Sequence, residues 1–378
     1  MSTDAFFIGL MSGTSLDGVD GVLARFSSDG AMQVQAHAFE PFPDAFKAEL
    51  LQLNQSGPDE LHRAALAGNG IARHYAQVVL ALLHQTGHAP EAITAIGAHG
   101  QTVRHRPLEF DGLPDQAAVG YTLQLNNPSL LAELTGIDVV ADFRSRDLAA
   151  GGQGAPLVPA FHQGVFGHPQ GCVAVLNIGG ISNLSVLQPD GHVMGWDCGP
   201  GNALMDHWCQ THTGQAFDRN GDWAATGQTS PVLLERLLGE SYLGKKPPKS
   251  TGRDLFNPAW LQQHLDNLPD LPPQDIQATL TALTAEACIR DVQRHAPGAQ
   301  RLIVCGGGAL NGHLMSLLAQ GLPGVQVVSS AQHGLPPLQV EAAAFAWLAF
   351  KAVRREPASL SSVTGARGAR VLGAVYPR

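Results

Sequence analysis

Two glycine-rich turns of the same kind constrain the fold of this chain more than any other feature. In residues 8–23 and 175–187, apolar runs that favour β-strands flank a short turn of Gly, Ser, Thr, Asn or Asp. Each stretch begins a succession of three strands and a helix, and a third turn, at residues 306–308, stands between a strand and a helix. This pattern predicts a duplicated α/β domain with a glycine-rich hairpin in each half.

The residue types in these turns suit the binding of a nucleotide phosphate tail. Successive backbone N–H groups form an anion-binding concavity, and glycine lets a ligand approach the backbone closely. Asp17 and Asp20 would repel a bare phosphate, so they are explained by a Mg²⁺ ion held through water. An ordinary glycine-rich hairpin turn is the alternative for residues 8–23. The candidate nucleotide-binding residues are Gly13, Thr14, Ser15, Leu16, Asp17, Gly18, Val19, Asp20, Gly179, Gly180, Ser182, Asn183, Gly306, Gly307, Gly308 and Asn311.

Two common nucleotide-binding motifs are absent. The chain contains no GxxxxGK[ST] string, which disfavours a P-loop NTPase, and no GxGxxG after its first strand, which disfavours a Rossmann dinucleotide site. Three glycine turns at these positions fit the two-lobed actin, Hsp70 and hexokinase type of ATPase, which is ribonuclease H-like in each half. That fold would place ATP between the lobes, with the 306–308 turn next to the adenosine.

Composition limits the remaining possibilities. A length of 378 residues suggests two domains, which we place at 1–150 and 151–378, with the option that the C-terminal helix returns to the first domain. The formal net charge of −9 and the lack of a Lys/Arg stripe argue against nucleic acid as a partner. No apolar run reaches the ~20 residues of a membrane helix, and the N-terminus lacks the basic region of a signal peptide. The five cysteines show no CxxC spacing and predict reduced thiols in a cytoplasmic protein.

Hydrophobic periodicity and turn signals predict alternating strands and helices along the chain. The predicted strands after the first hairpin are 32–39, 92–98, 119–125, 137–141, 172–177, 184–187, 193–196, 301–305 and 325–328. The predicted helices are 43–52, 56–85, 129–135, 203–212, 273–295, a helix from 309 onward, and 340–353. Residues 244–253 form the densest basic stretch, which is either a solvated loop or a mobile wall of a ligand cleft.

Several segments resemble the anhydro-N-acetylmuramic acid kinase family, from about residue 7 to residue 350. The segments that carry the resemblance are MSGTSLDGVD, GAHGQTVRH, ELTGIDVVADFR, AAGGQGAPLVPAFH, NIGGISNLS, WDCGPGNALMD, STGRDLFN, CGGGALNGHLM and LPPLQVEAAAFAWLA. The intervening segments, such as residues 108–116, depart most from the family pattern.

The resemblance implies a kinase that uses ATP and Mg²⁺. It would open the 1,6-anhydro ring of 1,6-anhydro-N-acetylmuramic acid with water at C1 and phosphorylate O6, in cell-wall recycling. Residues 13–20 then correspond to the ATP phosphate loop, Asp197 to the general base, and Glu341 to a glutamate that meets the sugar. The resemblance also implies a cytoplasmic homodimer.

The residues themselves support this chemistry. A general base should be a lone carboxylate clear of lysine, and Asp197 stands at a predicted strand end beside Gly199 and Gly201, which would leave space for a sugar. A helix N-cap is the alternative role for Asp197. Arg144 could meet the lactyl carboxylate or pair with Asp142, and His99 could bind the sugar or be structural. The candidate substrate residues are His99, Gln101, Asp142, Arg144, Gly199, Asn202 and Glu341.

Two other functions fit the predicted fold. A plain sugar kinase would act on a free hydroxyl and would turn over non-anhydro N-acetylmuramic acid equally well. An ATP-driven binding module of the Hsp70 or actin kind would need a peptide-binding appendage or a polymerising surface. The chain shows no spare ~150 residues from which to build an appendage.

Overall fold

The structure is a computed structural model that describes residues 4–13, 16–107, 119–168, 170–247, 249–252, 255–266 and 268–378. The predicted nucleotide-binding residues Thr14 and Ser15, the loop at 108–116 and position 253 lie outside the described residues. The strands are β1 Ala5–Met11, β2 Gly18–Phe26, β3 Met32–Pro41, β4 Ile93–Ala98, β5 Gln101–Arg106, β6 Tyr121–Leu125, β7 Val139–Ala141, β8 Cys172–Ile178, β9 Ile181–Leu187, β10 Val193–Pro200, β11 Ala299–Cys305, β12 Gln326–Ser329 and β13 Ala374–Tyr376. The α-helices are α1 Asp44–Gln52, α2 Glu60–Thr86, α3 Pro128–Thr135, α4 Ser145–Ala149, α5 Val158–Phe166, α6 Asn202–Thr213, α7 Pro231–Leu238, α8 Pro258–Leu265, α9 Pro273–His295, α10 Gly312–Gly321, α11 Val340–Val353 and α12 Ser361–Thr364. Short 3₁₀ turns lie at Pro90–Ala92, Arg219–Gly221, Ala224–Thr226, Ser241–Gly244, Gly307–Leu310, Ser330–His333 and Pro337–Gln339.

The chain forms two compact units whose sheets share one five-strand topology, to which β13 adds an edge strand in unit 1. Unit 1 comprises Met1–Phe161 and Gln339–Arg378, and unit 2 comprises His162–Leu338. The sheet of unit 1 has the order β13-β7-β4-β1-β2-β3, and that of unit 2 has the order β10-β9-β8-β11-β12. In each sheet the first three strands of the unit are antiparallel neighbours, and the next two strands add parallel on the other side of the first. The repeated order confirms the predicted duplication and the actin/Hsp70/hexokinase-like fold class.

Paired glycines let helix α11 pack directly on the sheet of unit 1. Gly9 on β1 and Gly97 on β4 are register partners. A Cβ atom at either position would collide with a main-chain carbonyl of α11, that of Ala342 or of Phe345 respectively. The Ala-rich sequence of α11 suits this close approach, and nearly all of its side chains are buried. The C-terminal helix therefore completes the core of unit 1.

The two core clusters show why the apolar pattern of the sequence was informative. The core of unit 1 is formed by β1, β2 and β4 with the apolar face of the 27-residue helix α2. The core of unit 2 is formed by β8 to β11 with α9 and α10. The predicted bounds of α2, α9 and α11 are confirmed within about one turn, since these long helices carry strong periodic patterns.

Strand β5 and the division between the units differ from the sequence expectations. Residues 101–106, for which no strand is predicted, form β5 and pair antiparallel with β6. The division between the units falls after residue 161 instead of 150, because the 150–154 segment is held within unit 1. Gln153 N–H donates to the Thr364 carbonyl at 2.9 Å, and Gly154 N–H donates to the Asp147 carboxylate at 2.8 Å.

Candidate functional site

Asp197 lies within β10 of unit 2, and a loop from later in the chain holds it. The Thr251 N–H donates to its Oδ2 at 2.9 Å, and its own N–H donates to the Lys249 carbonyl at 3.2 Å. The Tyr242 hydroxyl donates to the Asp197 carbonyl at 2.8 Å. The N-cap of helix α6 is Gly201, so the alternative role of Asp197 as a helix cap is wrong. Its carboxylate is instead held in place by loop residues.

Burial raises the pKa of Asp197 to about 6, against the lowering effects of the Thr251 N–H and the Lys249 charge. The expectation that the base stands clear of lysine is therefore wrong, because Lys249 lies near enough to lower its pKa. The nearby Lys249 is paired with Asp291 at 3.0 Å, so its charge is largely balanced. A carboxyl group with a pKa near 6 is ionised at neutral pH and still basic enough to take a proton from water.

A row of polar side chains crosses the sheet of unit 2 at the level of Asp197. Asn183 on β9 is the register partner of both Asp197 on β10 and Asn177 on β8. Directly opposite residues project from the same face of a sheet, so these three side chains form one row. Sequence reasoning missed Asn177, although an amide near the end of a wholly apolar strand is the signal that could have identified it.

The turn at Gly179 and Gly180 contacts the start of helix α6. The Gly179 carbonyl accepts from Asn202 N–H at 2.7 Å, and the Gly180 carbonyl accepts from Gly201 N–H at 3.0 Å. Because a trans peptide places C=O and N–H on opposite sides, the Gly180 N–H faces away from the helix start, where it can donate to an anion. The buried Ser182 hydroxyl donates to the Pro200 carbonyl at 3.2 Å, so it is already used within the protein.

A pocket of about 240 Å³ in unit 2 lies beside the third glycine turn. Its lining combines small, polar and apolar residues: Asn202, Met205, Asp206, Phe217, Asp218, Asn220, Gly307, Leu310, Asn311 and Leu338. Among the turn glycines, Gly307 lines this pocket, while Gly306 and Gly308 pack against the end of β8. Gly306 has a φ of 75°, and a Cβ there would lie 2.5 Å from Asn177 Oδ1, so close packing also requires glycine at this position.

Asn202 and Gly199 differ from their predicted roles in the substrate site. Asn202 lines the pocket beside Gly307, and its Nδ2 donates to the Ile178 carbonyl at 3.1 Å. Gly199 is buried, with the Leu243 side chain where its Cβ would lie, and the space above Gly201 holds the Gly179 carbonyl. The expectation that these two glycines leave room for a sugar is therefore wrong.

The first glycine turn, in unit 1, mixes exposed and core positions. Gly13 is half-buried, and its carbonyl accepts from Gln101 Nε2 and from Leu16 N–H, both at 3.2 Å. The side chains of Leu16 and Val19 belong to the core, and a Cβ at Gly18 would collide with the Glu40 carbonyl of β3. These three residues therefore shape the turn from inside and offer no side chain to a ligand.

The two candidate carboxylates of this turn are in different surroundings. Asp17 is exposed, whereas Asp20 Oδ1 lies 3.0 Å from His37 Nε2 on β3. In the described ranges, no three His, Cys, Asp or Glu side chains are grouped closely enough to hold a metal ion directly. Of these two carboxylates, that of Asp17 is therefore the one more open to solvent, whereas that of Asp20 faces His37.

A partly buried guanidinium marks a second polar cluster in unit 1. Arg144 donates from Nε and Nη2 to His99 Nε2, at 3.2 and 2.9 Å, and from Nη1 to the Gly154 carbonyl at 2.8 Å. Burial lowers the pKa of Arg144 to about 10, and the charge of Glu341 opposes this shift. Burial and the Arg144 charge hold the pKa of His99 well below its usual value, so this imidazole is neutral.

The predicted pair between Asp142 and Arg144 is wrong. Asp142, with a φ of 58°, accepts from the Ser145 hydroxyl at 2.6 Å at the start of α4. Its carboxylate is therefore used in a local turn, which leaves His99, Arg144 and Glu341 as the cluster that the structure brings together.

Gln101 and Tyr75 connect this cluster to the first turn. Gln101 Nε2 bonds the Gly13 carbonyl, and its Oε1 is buried with no hydrogen-bond partner in the described part of the chain. The buried Tyr75 hydroxyl lies 3.2 Å from Ser12 Oγ and accepts from Gly100 N–H at 3.0 Å. Gln101 thus presents an acceptor that a sugar hydroxyl could satisfy.

The basic stretch at 244–253 is not the uniformly solvated loop that its composition favours. Lys245 and Lys246 are exposed, but the Lys249 side chain is only 2% exposed, and Thr251 reaches Asp197.

Within the described residues, none of the helices has the length and apolar character needed to cross a membrane.

Comparisons with known proteins agree along the whole chain. A family model described as anhydro-N-acetylmuramic acid kinase matches residues 5–378. The chain is 65% identical over 376 residues to the anhydro-N-acetylmuramic acid kinase of Variovorax paradoxus, with 98% of each chain covered. It is 57% identical to the protein of the same name from Cupriavidus pinatubonensis, again with 98% of each covered.

Solved structures similar to this chain are distant in sequence. Component A of (R)-2-hydroxyglutaryl-CoA dehydratase from Acidaminococcus fermentans is 14% identical, with 92% of this chain and 98% of that chain covered and a TM-score of 0.49. A ROK family glucokinase from Streptomyces griseus in complex with glucose and AMPPNP is 14% identical, with 90% and 98% covered and a TM-score of 0.40.

Proposed function

Because the chain belongs to the anhydro-N-acetylmuramic acid kinase family, we propose that it phosphorylates O6 of 1,6-anhydro-N-acetylmuramic acid as water opens the anhydro ring. The products are N-acetylmuramic acid 6-phosphate and ADP, in peptidoglycan recycling. The observation that carries the proposal is Asp197, a held carboxylate whose pKa lies at about 6.

Asp197 acts as the general base. The Thr251 N–H occupies Oδ2, so Oδ1 is the oxygen that takes a proton from the attacking water. The water oxygen bonds to C1 as the C1–O6 bond breaks. O6 bonds to the γ-phosphorus, and the bond from that phosphorus to the ADP oxygen breaks. Oxocarbenium character at C1 makes the reaction resemble inverting glycoside hydrolysis. In a glycosidase a general acid protonates the departing oxygen, whereas here the departing O6 bonds to phosphorus.

The nucleotide is assigned to the glycine turns and the pocket beside them. The 240 Å³ pocket beside Gly307 and Asn311 has room for a purine ring, and its Asp and Asn side chains can accept from or donate to it. In unit 2, the Gly180 N–H would supply a donor to the phosphate tail. In unit 1, the turn at Gly13 is the phosphate loop that family membership implies. Mg²⁺, held through water by Asp17, would neutralise charge on the β- and γ-phosphates. Asp20 supports the same turn through His37.

The sugar is assigned to the polar cluster of unit 1. The Arg144 guanidinium suits the lactyl carboxylate, because its planar fork of N–H donors matches a carboxylate in charge and in geometry. Glu341 and Gln101 can accept from sugar hydroxyl or amide groups. Neutral His99 orients Arg144 through its Nε2.

We also propose that the protein works in the cytoplasm as a homodimer. The supply of ATP there and the five free cysteines, all buried, support the compartment. The dimer is what membership of the family implies.

Product analysis in ¹⁸O-labelled water tests the proposed reaction. With ATP, Mg²⁺ and the anhydro sugar, we expect a product heavier by one labelled oxygen, which is located on C1 when the reaction is stopped before the anomeric oxygen exchanges. The phosphate should carry no label. Label in the phosphate, or equal turnover of non-anhydro N-acetylmuramic acid, would reject ring opening by water and favour a plain sugar kinase.

A further inference from the structure

A buried ion pair lies directly behind Asp197. Lys249 Nζ is 3.0 Å from Asp291 Oδ2, and both side chains are only 2% exposed. The indole N–H of Trp196, the residue before Asp197, donates to the same Asp291 oxygen at 2.8 Å. Removing two charges from water is costly, and a buried pair often stabilises a protein no better than apolar residues of similar volume. Stability is therefore a weak explanation for this pair.

The pair connects the 249–252 segment to Asp197 at several points. Lys249 accepts the Asp197 N–H through its carbonyl, and two residues further on the Thr251 N–H reaches the Asp197 carboxylate. The Lys249 ammonium also lies 5.2 Å from the ring centre of Tyr242, whose hydroxyl donates to the Asp197 carbonyl. Anchoring Lys249 thus fixes the backbone that presents Thr251.

The segment that carries Lys249 lies between the 3₁₀ turn Ser241–Gly244 and helix α8, and its composition of Lys, Pro, Ser and Gly favours solvent. Lys245 and Lys246 in the same segment are exposed, whereas Lys249 is buried. The Asp291 carboxylate, on helix α9, accounts for that difference.

We infer that the Lys249–Asp291 ion pair is a positioning element that holds the 249–252 segment on strand β10 and thereby keeps the Thr251 N–H on Asp197 Oδ2. This inference rests on the proposed role of Asp197 as the base. Lys249 and Asp291 are positioning residues, because they act through Thr251 and the Asp197 backbone. Loss of the pair misplaces the base, and a misplacement of about 1 Å can cost roughly 100-fold in rate.

Both ends of the pair affect the pKa of the base. The Thr251 N–H lowers the pKa of Asp197 more than the Lys249 charge does, so losing Lys249, which removes both effects, raises that pKa. Losing Asp291 releases the segment and removes the Thr251 N–H, so it raises the pKa as well, by a smaller amount because the Lys249 charge remains. The other titratable or charged groups around the pair are Tyr242, Cys198, Cys288, His295 and Lys246, and they remain in place in both variants.

The test compares Lys249→Met and Asp291→Asn in the full-length protein, with exposed Lys246→Met as the matched control. We expect each pair variant to lower kcat by roughly 10- to 100-fold, with KM for ATP within about twofold. The acid limb of kcat/KM should move to higher pH in both Lys249→Met and Asp291→Asn, because both lose the Thr251 N–H from Asp197. Lys246→Met should retain the native profile. An acid limb that stays in place in either pair variant, or that moves to lower pH in Asp291→Asn as an unpaired Lys249 charge alone would cause, would overturn the inference.

A double variant, Lys249→Met with Asp291→Leu, covers the case in which a single variant fails to fold. Replacing both charges by apolar residues is often tolerated. We expect a native melting temperature with the acid limb still raised and kcat still low. A folded double variant with native kcat and a native pH profile would show that the pair is merely structural. The Asp197→Asn variant separates the two proposals, since retained turnover there would reject the base itself.

Discussion

Replacing Asp197 by asparagine should abolish turnover and, at the same time, stabilise the fold at neutral pH. Burial raises the pKa of Asp197 from 3.8 to about 6, so the folded state disfavours the ionised form. The ionised carboxylate is therefore needed for catalysis but lowers the stability of the folded state. Asparagine removes the charge and keeps an oxygen that can accept from the Thr251 N–H.

The size of the effect follows from the shift in pKa. A difference of about two pKa units at 1.36 kcal/mol each corresponds to about 3 kcal/mol. Because the folded state binds the proton more tightly than the unfolded state, the stability of the native protein falls as pH rises from about 4 to about 6 and then levels off. Asparagine should therefore gain about 3 kcal/mol at pH 7.5 and almost nothing at pH 4. For a unit of this size that gain raises the melting temperature by about 6–12 °C.

Melting temperatures between pH 4 and 8, together with a coupled assay of ADP release, check both halves of this prediction. Asp270→Asn is the matched control, because Asp270 is exposed and lies in the loop before α9. It should change neither turnover nor the pH dependence of melting. In the native protein, kcat/KM for the sugar should fall below about pH 6. An Asp197→Asn protein that melts at the native temperature at pH 7.5, or that retains a tenth of native turnover, would refute the reasoning.

Two further predictions concern glycines. Gly307→Val should raise KM for ATP roughly tenfold or more with a smaller change in kcat, because the valine side chain enters the 240 Å³ pocket. The control Gly298→Val, where a Cβ meets nothing within 4 Å, should leave KM unchanged. An unchanged KM for Gly307→Val would show that the nucleotide does not bind in this pocket. Gly97→Ala should lower the free energy of unfolding by at least about 3 kcal/mol, because the new Cβ meets the Phe345 carbonyl of α11 and the backbone cannot easily move away. The control Gly57→Ala, at an exposed position, should lower it little. Chemical denaturation measures both variants, and equal stabilities would contradict the packing argument.

The fold was largely predictable because its signals are local. Glycine turns between apolar runs, and long periodic helices such as α2, α9 and α11, are visible within short windows of sequence. The repeated strand order then follows from the two similar hairpins. Strand β5 was missed because Gln101, Thr102 and Arg104 read as a polar loop, and only its pairing with β6 makes it a strand.

The site was less predictable, because a motif does not reveal which of its members face a ligand. Ser182 and Gly306 stand in glycine-rich motifs, yet one bonds the Pro200 carbonyl and the other packs on Asn177 and Ile178. Asp142 lies two residues from Arg144 and does not pair with it, because a φ of 58° turns it toward Ser145. Such outcomes depend on backbone direction, which residue type does not encode.

The loop behind Asp197 shows where a sequence signal did exist. Thr251 is 54 residues from Asp197, and composition cannot tell which lysine of the 244–253 stretch is buried. The informative residue is Asp291, which stands between Cys288 and Val292 on the buried face of α9. A carboxylate on a buried helix face requires a cationic or hydrogen-bonding partner. In the structure that partner is Lys249, which lies in the otherwise polar 249–252 segment. Asp291 therefore indicates that this segment is held against the protein, next to the base Asp197.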